Sequence, residues 1–347
     1  MLVLGIETSC DETAAAVVEN GRQVLSHVVW SQIEEHSPFG GVVPEVASRA
    51  HVEAVFPVIH EAMEKAGAKW SDLSLIAVTD GPGLASSLLI GVTAARALAC
   101  RVGCPLTAVN HLAGHAYSYL LDPSTPDSAQ TGPVIVLLVT GGHTLLAQVD
   151  GVEKITMLGQ TLDDAAGEAL DKGSTMMGLG YPGGPAIEKK ARGGNASLFS
   201  FPQGLRGNTG TVSGPYPRER CFSFSGLKTS LRYLLRDQPE LAGSPDLAAA
   251  YQEAVFDALI DRLERVMREE GASTFACVGG VAKNKRFRAK LEKMAMRLKV
   301  NGYFAPLTYC TDNAAMIAGF AGARAMHGYP PVPVTDVRPN ASLKDAI

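Results

Sequence analysis

The chain has 347 residues, of which 46% are hydrophobic and 19% charged, enough apolar sequence for one large or two medium globular domains. Its 31 Lys and Arg residues against 35 Asp and Glu give a net charge of −4, which excludes a basic surface over the whole molecule and leaves only a local nucleic-acid-binding patch. The six cysteines form no CxxC pair, which argues against a structural zinc site and is typical of a reducing compartment. We expect a cytoplasmic protein, because no basic region precedes an apolar stretch at the N-terminus. We also expect no membrane span, because the longest apolar stretch, 85–100, is short and interrupted by Arg96.

The first part of the chain alternates predicted strands and helices. Five runs of buried-type residues predict strands, at Leu2–Glu7, Thr13–Glu19, Val24–Trp30, Leu73–Thr79 and Leu106–Val109. Three segments predict helices, the first from Pro44 to about Ala66, the second from Ala85 to Arg101, and the third after Asn110. This alternation is typical of an α/β fold.

The pattern restarts after a Pro-, Ser- and Thr-rich linker at 122–132. Strands at Val134–Val139 and Thr144–Val149 flank a turn, as in the opening hairpin, which predicts an internal duplication with a cleft between two lobes. The predicted domains are an N-terminal lobe (1–130), a C-terminal lobe (131–326) with an insertion at about 193–224, and a Pro-rich, largely extended tail (327–347).

Further elements of the second lobe follow the same rules. Helices are predicted at about 165–177, 185–191, 225–235 and 246–269, and strands at 274–278 and 303–305. A basic helix lies between these two strands. The last helix is predicted to start at Asp312, with Thr311 as its N-cap.

Three glycine- or threonine-bearing turns follow predicted strands and would expose backbone N–H groups to an anion. They are residues 8–13, 138–143 and 279–284. Each turn alone is ordinary in a globular protein. Two turns at duplicated positions together with a strand-Gly-Gly-helix junction are what binding a nucleotide between two halves requires.

His111 and His115 lie four residues apart, which on a helix places both imidazoles on one face and lets them hold one metal ion. Leu112 stands where a zinc protease of the HExxH kind carries its glutamate base. Asp312 is a candidate third ligand, although a carboxylate at a helix start can also be only a cap. Two histidines and one carboxylate would suit Fe(II) or Zn(II).

Two charged clusters have open interpretations. Asp164, Glu168 and Asp171 recur on one helix face, where they could bind hydroxyls or amines of a ligand. The segment Lys283–Lys299 carries eight basic residues, and Arg218, Arg220 and Lys228 could extend it. It is either a contact for a phosphate backbone or a solvated helix face.

Nine motifs along nearly the whole chain resemble, in order, those of one protein family. They are Gly5-Ile-Glu-Thr-Ser-Cys-Asp-Glu-Thr13, Gly41-Val-Val-Pro-Glu45, Gly81-Pro-Gly83, His111-xxx-His115, Val139-Thr-Gly-Gly-His143, Asp163-Asp-Ala-Ala-Gly-Glu168, Tyr181-Pro-Gly-Gly-Pro185, Phe222-Ser-Phe-Ser-Gly-Leu-Lys228 and Cys310-Thr-Asp-Asn313. The sequence resembles the tRNA N6-adenosine threonylcarbamoyltransferase (TsaD-like) family, once described as O-sialoglycoprotein endopeptidases. Lys283 departs from the pattern, because relatives often have a small residue before the asparagine.

The resemblance implies a duplicated actin/Hsp70/sugar-kinase-like (ASKHA) α/β fold with two lobes and a nucleotide cleft. It implies transfer of a threonylcarbamoyl group from threonylcarbamoyl-AMP to N6 of the adenosine next to the anticodon, in tRNAs reading codons that begin with A, with release of AMP. The implied ligands of one divalent metal, Fe²⁺ favoured and Zn²⁺ possible, are His111, His115 and Asp312. The implied contacts to the donor are Leu138, Val139, Thr140, Gly141, Gly142, Asp171, Gly184 and Asn284.

The resemblance also implies partners, namely tRNA, a paralogous TsaB-like subunit, a small TsaE-like ATPase and a separate enzyme that makes the adenylate. We identify no covalent nucleophile, since no Ser or Cys has a base at a recognisable spacing. Three alternatives stay open at this point: a metalloprotease acting on glycoproteins, a phosphotransferase of the sugar-kinase type, and a scaffold subunit without chemistry.

Overall fold

The computed structural model describes residues 1–126, 132–202, 204–205 and 215–346. The strands in these residues are β1 (Leu2–Glu7), β2 (Glu12–Glu19), β3 (Gln23–Ser31), β4 (Leu73–Gly81), β5 (Leu106–Asn110), β6 (Pro133–Val139), β7 (Thr144–Asp150), β8 (Lys154–Gln160), β9 (Thr274–Val278) and β10 (Asn301–Phe304). The α-helices are α1 (Ile33–His36), α2 (Pro44–Ala66), α3 (Ala85–Val102), α4 (His111–Tyr117), α5 (Ala166–Met176), α6 (Gly183–Lys190), α7 (Ser225–Asp237), α8 (Pro245–Glu269), α9 (Lys285–Leu298) and α10 (Ala314–Met326).

The strands form two five-stranded sheets with the same topology. The first has the order β3-β2-β1-β4-β5, with β1 antiparallel to β2 and parallel to β4, and β4 parallel to β5. The second has the order β10-β9-β6-β7-β8, in which β6 is parallel to β9 and β9 to β10. Each strand of the first sheet therefore has a counterpart five strands later, as the predicted duplication requires.

Contacts between Cα atoms divide the chain into two compact units. The first comprises Met1–Gly132, Val149–Ile155 and Ala305–Ile347, and the second comprises Pro133–Gln148 and Thr156–Phe304. These units divide the chain at different points from the predicted domains, whose boundaries stay a prediction.

The core of the first unit lies between its sheet and helices α2, α3 and α10. Apolar side chains of β1, β2 and β4 are fully buried, because the helices cover them. Gly5 in the middle of β1 faces α10, where an added Cβ atom would lie 2.3 Å from the carbonyl oxygen of Ala314. Only glycine lets this strand and this helix approach so closely.

Residues 329–346, called here the C-terminal strap, lie across the ends of β4 and β5. The Val332 N–H donates to Thr107 Oγ1, and its carbonyl accepts from the Ala108 N–H. Arg338 donates two hydrogen bonds, of 2.7 and 2.9 Å, to the buried carboxylate of Asp80. The strap ends in a short 3-10 helix at Leu343–Ala346, which packs against α4 and β5.

Strand β8, the short helix α1 and the start of the last helix differ from the sequence prediction. Neither α1 nor β8 was predicted, because α1 has only four residues and β8 has only two buried residues, Leu158 and Gly159, which give a weak apolar pattern. The prediction that the last helix starts at Asp312 behind a Thr311 cap is wrong. Helix α10 begins at Ala314, and Asn313 is its N-cap, because Asn313 Oδ1 accepts the Met316 N–H at 2.9 Å.

Helix α3 is the one helix of the described residues that is long and apolar enough to cross a membrane, by length and composition only. It packs against α2 and β4, and Arg96 on its outer side donates to the carbonyls of Val334 and Thr335 in the C-terminal strap. These contacts favour a core helix.

Candidate metal centre and candidate nucleotide-binding turns

Helix α4 holds the two histidines at the carboxyl end of β5. Asn110 is the last residue of β5, and its Oδ1 accepts the N–H groups of Leu112 at 2.9 Å and Ala113 at 3.2 Å, which starts the helix. All seven residues of α4 are buried. Because they are four residues apart on this helix, the imidazoles of His111 and His115 lie on one face, with ring centroids 4.7 Å apart, as the spacing predicts.

Asp312 reaches the same place from the loop before α10. Its Oδ1 lies 3.0 Å from His115 Nε2 and 3.5 Å from His111 Nε2. Asn313 shapes the loop, because its Nδ2 donates to the carbonyls of Tyr309 and Thr311. One ligand atom from each of the three predicted metal ligands lies within 4.8 Å of the others.

The electrostatics of this cluster favour a cation. Burial alone would lower the pKa of His111, but the carboxylates of Asp312 and Glu7 raise it to about 9. Burial lowers the pKa of His115, although Asp312 opposes this effect. Burial and the negative charge of Asp312 raise the pKa of Glu12. Several carboxyl groups thus surround one place, where a positive charge is stabilised.

These donors fit a transition metal. Two imidazoles and one carboxylate suit Fe(II) or Zn(II), and an incomplete ligand set leaves positions open for a substrate. All three side chains belong to the first unit, so the cluster is complete within it.

Two of the three predicted anion-binding turns, 138–143 and 279–284, lie in the second unit, at the carboxyl ends of the adjacent parallel strands β6 and β9, whereas the turn at 8–13 lies in the first unit. Leu138 and Val139 are buried at the end of β6, and Leu138 pairs with Val278 of β9. In the turn after β6, the Thr140 N–H donates to the His143 carbonyl, and the His143 N–H donates to Thr140 Oγ1. Ligands of α/β sheets bind at this edge.

Glycines leave space around these turns. Gly141, Gly142 and Gly184 have no other atom within 4 Å of the place a Cβ would take, so a ligand could approach their backbone. Gly279 is different, because it has φ of +95° and an added Cβ would lie 2.4 Å from the Val139 carbonyl oxygen. Gly279 therefore brings the two turns into contact.

Helix α5 places Asp171 near the same turns. The Gly167 N–H donates to the Thr140 carbonyl at 3.3 Å, and Asp171 lies one turn further along this helix. Asp171 Oδ1 accepts the Gly183 N–H at 2.7 Å, which joins α5 to the start of α6 beside Gly184. One backbone bond, to the Thr140 carbonyl, and one bond to the Asp171 side chain thus connect α5 to the turn after β6 and to the start of α6.

Both the oxygen and the nitrogen of the Asn284 side-chain amide form hydrogen bonds. Its Oδ1 accepts the Phe287 N–H and caps α9, and its Nδ2 donates to Gln252 Oε1 at 2.9 Å. We expect Asn284→Ala to lower the free energy of unfolding by about 1 kcal/mol, because the cap is lost. Asn284→Ser keeps a capping oxygen and should retain most of that stability in urea denaturation. Equal losses for both variants would contradict the capping role.

The expectation that Asp164 and Glu168 bind a ligand stays a prediction, but its premise, an acidic face without partners, is wrong. Lys172 Nζ lies 3.1 Å from Asp164 and 2.7 Å from Glu168, and Lys228 lies 2.6 Å from Asp164. These lysines neutralise the acidic face within the protein. The neighbouring Asp163 accepts hydrogen bonds from residues 223–225 and holds the start of α7, a role that sequence analysis missed.

Three of the eight basic residues of the predicted patch form ion pairs with acids of α8. Glu253 binds Arg286 and Lys290, and Glu264 binds Arg297. The exposed lysines of the segment are Lys283, Lys285, Lys293 and Lys299. A phosphate-backbone contact on this helix stays a prediction, and three of its eight basic residues are already neutralised by acids of the protein.

The model of the family described as TsaD, tRNA N6-adenosine threonylcarbamoyltransferase, matches residues 23–319. The chain belongs to this family. The tRNA N6-adenosine threonylcarbamoyltransferase of Paramagnetospirillum magneticum is 46% identical over 326 residues, which cover 92% of this chain and 90% of the relative. The protein of the same name from Bacillus subtilis is 45% identical over 354 residues, and the match covers 96% of this chain and 96% of the relative.

Solved structures share the fold at low sequence identity. Component A of the Acidaminococcus fermentans (R)-2-hydroxyglutaryl-CoA dehydratase aligns with a TM-score of 0.52 at 16% identity, over 94% of this chain and 99% of its own. HypF of T. kodakarensis aligns with a TM-score of 0.59 at 17% identity, over 94% of this chain and 48% of its own. With the two sheets of equal topology, these structures confirm the predicted duplicated ASKHA fold.

Membership of the threonylcarbamoyltransferase family establishes the activity. The enzyme is an acyltransferase that transfers a threonylcarbamoyl group to N6 of an adenosine in tRNA. The alternatives of a glycoprotein-cleaving protease, a phosphotransferase and an inert scaffold find no support in these relatives. The predicted family, the enzyme class and tRNA as the substrate are confirmed.

Proposed function

We propose that His111, His115 and Asp312 hold one divalent metal ion, Fe²⁺ in preference to Zn²⁺, and that this centre serves the transfer reaction. The convergence of these three side chains within 4.8 Å carries the proposal. The donor is threonylcarbamoyl-AMP, and the acceptor is the adenosine next to the anticodon in tRNAs that read codons beginning with A.

The reaction needs an activated donor, because the lone pair of the adenine N6 amine is delocalised into the ring. N6 forms a bond to the carbamoyl carbon, the bond from that carbon to the phosphate oxygen breaks, N6 loses a proton, and AMP leaves. A bound metal ion supplies Lewis-acid polarisation of donor oxygens. A single-stranded anticodon loop allows the target base to unstack and be presented to the donor.

The protein's own contribution is binding and orientation. The turn at Leu138–Gly142, with Asp171, Gly184 and Asn284, is assigned to the AMP part of the donor. Open space beside Gly141 and Gly142 supports close approach of a phosphate to backbone N–H groups. Orientation of this kind can contribute roughly 7–11 kcal/mol without a covalent intermediate. No residue is assigned as a nucleophile.

A paralogous TsaB-like subunit and a small TsaE-like ATPase are the proposed partners, and the cytoplasm is the proposed location. An apolar stripe on the first unit supports a protein partner. Val52 and Phe56 are exposed one turn apart on α2, in line with Ser48, which donates to Ser86 of α3. Leu89 is exposed on α3, one turn after Ser86.

The function is tested in cells depleted of this protein. We expect N6-threonylcarbamoyladenosine to fall strongly in mass spectra of tRNA nucleosides, and a plasmid copy of the wild-type gene to restore it. Other modified nucleosides of the same tRNA serve as the internal control. An undiminished level of the nucleoside after depletion would refute the proposal.

Metal removal gives a second test in vitro. Protein treated with a chelator and then freed of it should lose transfer from threonylcarbamoyl-AMP to tRNA in a reconstituted assay with its partners. Adding Fe²⁺ without oxygen should restore more activity than adding Zn²⁺. Full activity of protein whose metal content is negligible by elemental analysis would exclude a role for the metal.

A further inference from the structure

A buried carboxylate lies directly behind the first metal ligand. Glu7 is the last residue of β1 and is 0% exposed. Its Oε1 accepts the Ser9 N–H at 2.6 Å. Its Oε2 accepts the Thr79 hydroxyl at 2.5 Å and lies 3.1 Å from His111 Nδ1. The carboxylate is thus held by β1, by β4 and by the histidine helix at once.

The geometry separates Glu7 from the ligand set. His111 turns Nδ1 towards Glu7 Oε2 and Ser9 Oγ, each 3.1 Å away, and Nε2 towards Asp312 Oδ1, 3.5 Å away. Of the two neighbours of Nδ1, only the carboxylate is negatively charged, and it is therefore the stronger acceptor for an Nδ1–H. Both Glu7 oxygens already accept hydrogen bonds from protein groups, so neither oxygen is free for a cation. Its place is on the opposite edge of the imidazole from the metal.

We propose that Glu7, supported by Thr79, is a positioning residue that accepts the Nδ1–H of His111 and leaves the Nε2 lone pair directed at the metal. A ligand histidine whose other nitrogen donates to a carboxylate is held in one tautomer and one ring orientation. The proposal rests on the proposed metal centre and adds the residue that prepares it.

The second histidine has no equivalent support. His115 Nδ1 is buried and has no hydrogen-bond partner among the residues that the structure describes. Its Nε2 lies 3.0 Å from the carboxylate oxygen Oδ1 of Asp312. A buried carboxylate therefore orients only one ring of the pair, that of His111. Without Glu7, neither ring would be held by a buried carboxylate.

Glu7→Gln and Thr79→Val test the inference. A glutamine can present its oxygen to only one side, so either the Ser9 N–H or the His111 Nδ1–H loses its carboxylate acceptor, and His111 is then left with the weaker Ser9 Oγ. We expect Glu7→Gln to weaken Zn²⁺ binding about 10–100-fold in competition with a chromophoric chelator. Thr79→Val removes one donor to the same carboxylate and should weaken binding less.

Thr107→Val is the matched control. Thr107 lies on the adjacent strand β5, and its hydroxyl bonds the strap and its own strand rather than Glu7. Because Thr107 bonds the strap at Val332 and not at Ser342, which holds Asn110, this variant should weaken Zn²⁺ binding less than Thr79→Val does, with a comparable loss in the thermal unfolding midpoint of the metal-free protein. If Thr79→Val and Thr107→Val weaken binding equally, the effect is general destabilisation and the inference is overturned.

A readout without metal is the Nδ1 proton of His111. In long-range ¹H–¹⁵N NMR spectra of the metal-free protein, the wild type should have a persistent, hydrogen-bonded Nδ1–H, which Glu7→Gln should weaken or lose. An identical Nδ1 signal in both proteins overturns the inference. If the wild type binds no metal, the proposed function fails while this spectrum still tests Glu7. If Glu7→Gln binds metal like the wild type, only the inference about Glu7 fails.

Discussion

Asp312→Ala should abolish tight metal binding and lower threonylcarbamoyl transfer by about 10²–10³-fold or more. The carboxylate of Asp312 is the group that lies beside the Nε2 atoms of both histidines, at 3.0 and 3.5 Å. Its loss removes one of three ligands and a negative charge that favours a cation. The affinity for the metal should fall by more than the about 10–100-fold that is typical when a group hydrogen-bonded to a ligand is changed. Elemental analysis of the purified variant and the reconstituted transfer assay measure both effects.

The fold should survive this substitution, because Asn313 rather than Asp312 caps α10. Asn313→Ala is the matched control. Its main effect should be on stability and not on metal binding, and we expect it to lower the free energy of unfolding by about 1 kcal/mol. Asp312→Asn keeps the shape of the side chain and should still bind metal weakly. Wild-type metal content and activity in Asp312→Ala would remove Asp312 from the ligand set.

Arg338→Met should produce the largest loss of stability from a single change in the C-terminal strap. The carboxylate of Asp80 is only 4% exposed and would lose its charged partner, while Arg338 itself is 38% exposed. Removing one partner of a fully buried pair costs about 3–5 kcal/mol, and the partial exposure of Arg338 reduces this to about 2–3 kcal/mol. Urea denaturation followed by circular dichroism measures the change.

Two variants separate the ion pair from general effects on the strap. Arg96→Met removes another arginine that binds the strap, but its partners are the carbonyls of Val334 and Thr335, so the loss should be under about 1 kcal/mol. Adding Asp80→Asn to Arg338→Met should recover part of the stability, because the unpaired buried charge is gone. Similar losses for Arg338→Met and Arg96→Met would rule out the buried pair as the cause.

The strap also bears on the metal centre. Asn110 Nδ2 donates to the Ser342 carbonyl at 2.9 Å, while its Oδ1 caps α4. The residue that starts the histidine helix is therefore held by the strap. We expect Arg338→Met to weaken metal binding as well as stability, although less than Asp312→Ala does.

Local patterns were sufficient for much of the fold. The spacing of His111 and His115 predicted a helix with both rings on one face, and α4 has this form, because i and i+4 positions are neighbours on any helix. The strand-turn-strand repeat predicted a duplication that the two sheets confirm. Both features depend on residues close in the chain.

Contacts between distant residues were not visible in the sequence. Glu7 ends an apolar strand, and nothing local shows that Thr79 and His111 bind it 72 and 104 residues later. The acidic face at Asp164 and Glu168 looked unpaired because Lys228, a partner of Asp164, is 64 residues away. The boundary of α10 was missed because Thr311 and Asn313 are both good caps, and only the fold selects one.

The two sheets of equal topology have an implication for the history of the protein. The strand that precedes the histidines, β5, corresponds to β10, but β10 is followed by Ala305 and Pro306, which offer no side-chain ligand. The repeats have thus diverged in chemistry while keeping one architecture. Either the ancestral half gained its imidazoles after the gene doubled, or one descendant discarded them. A single-repeat ancestor reconstructed with and without the histidine pair would distinguish these two orders of events.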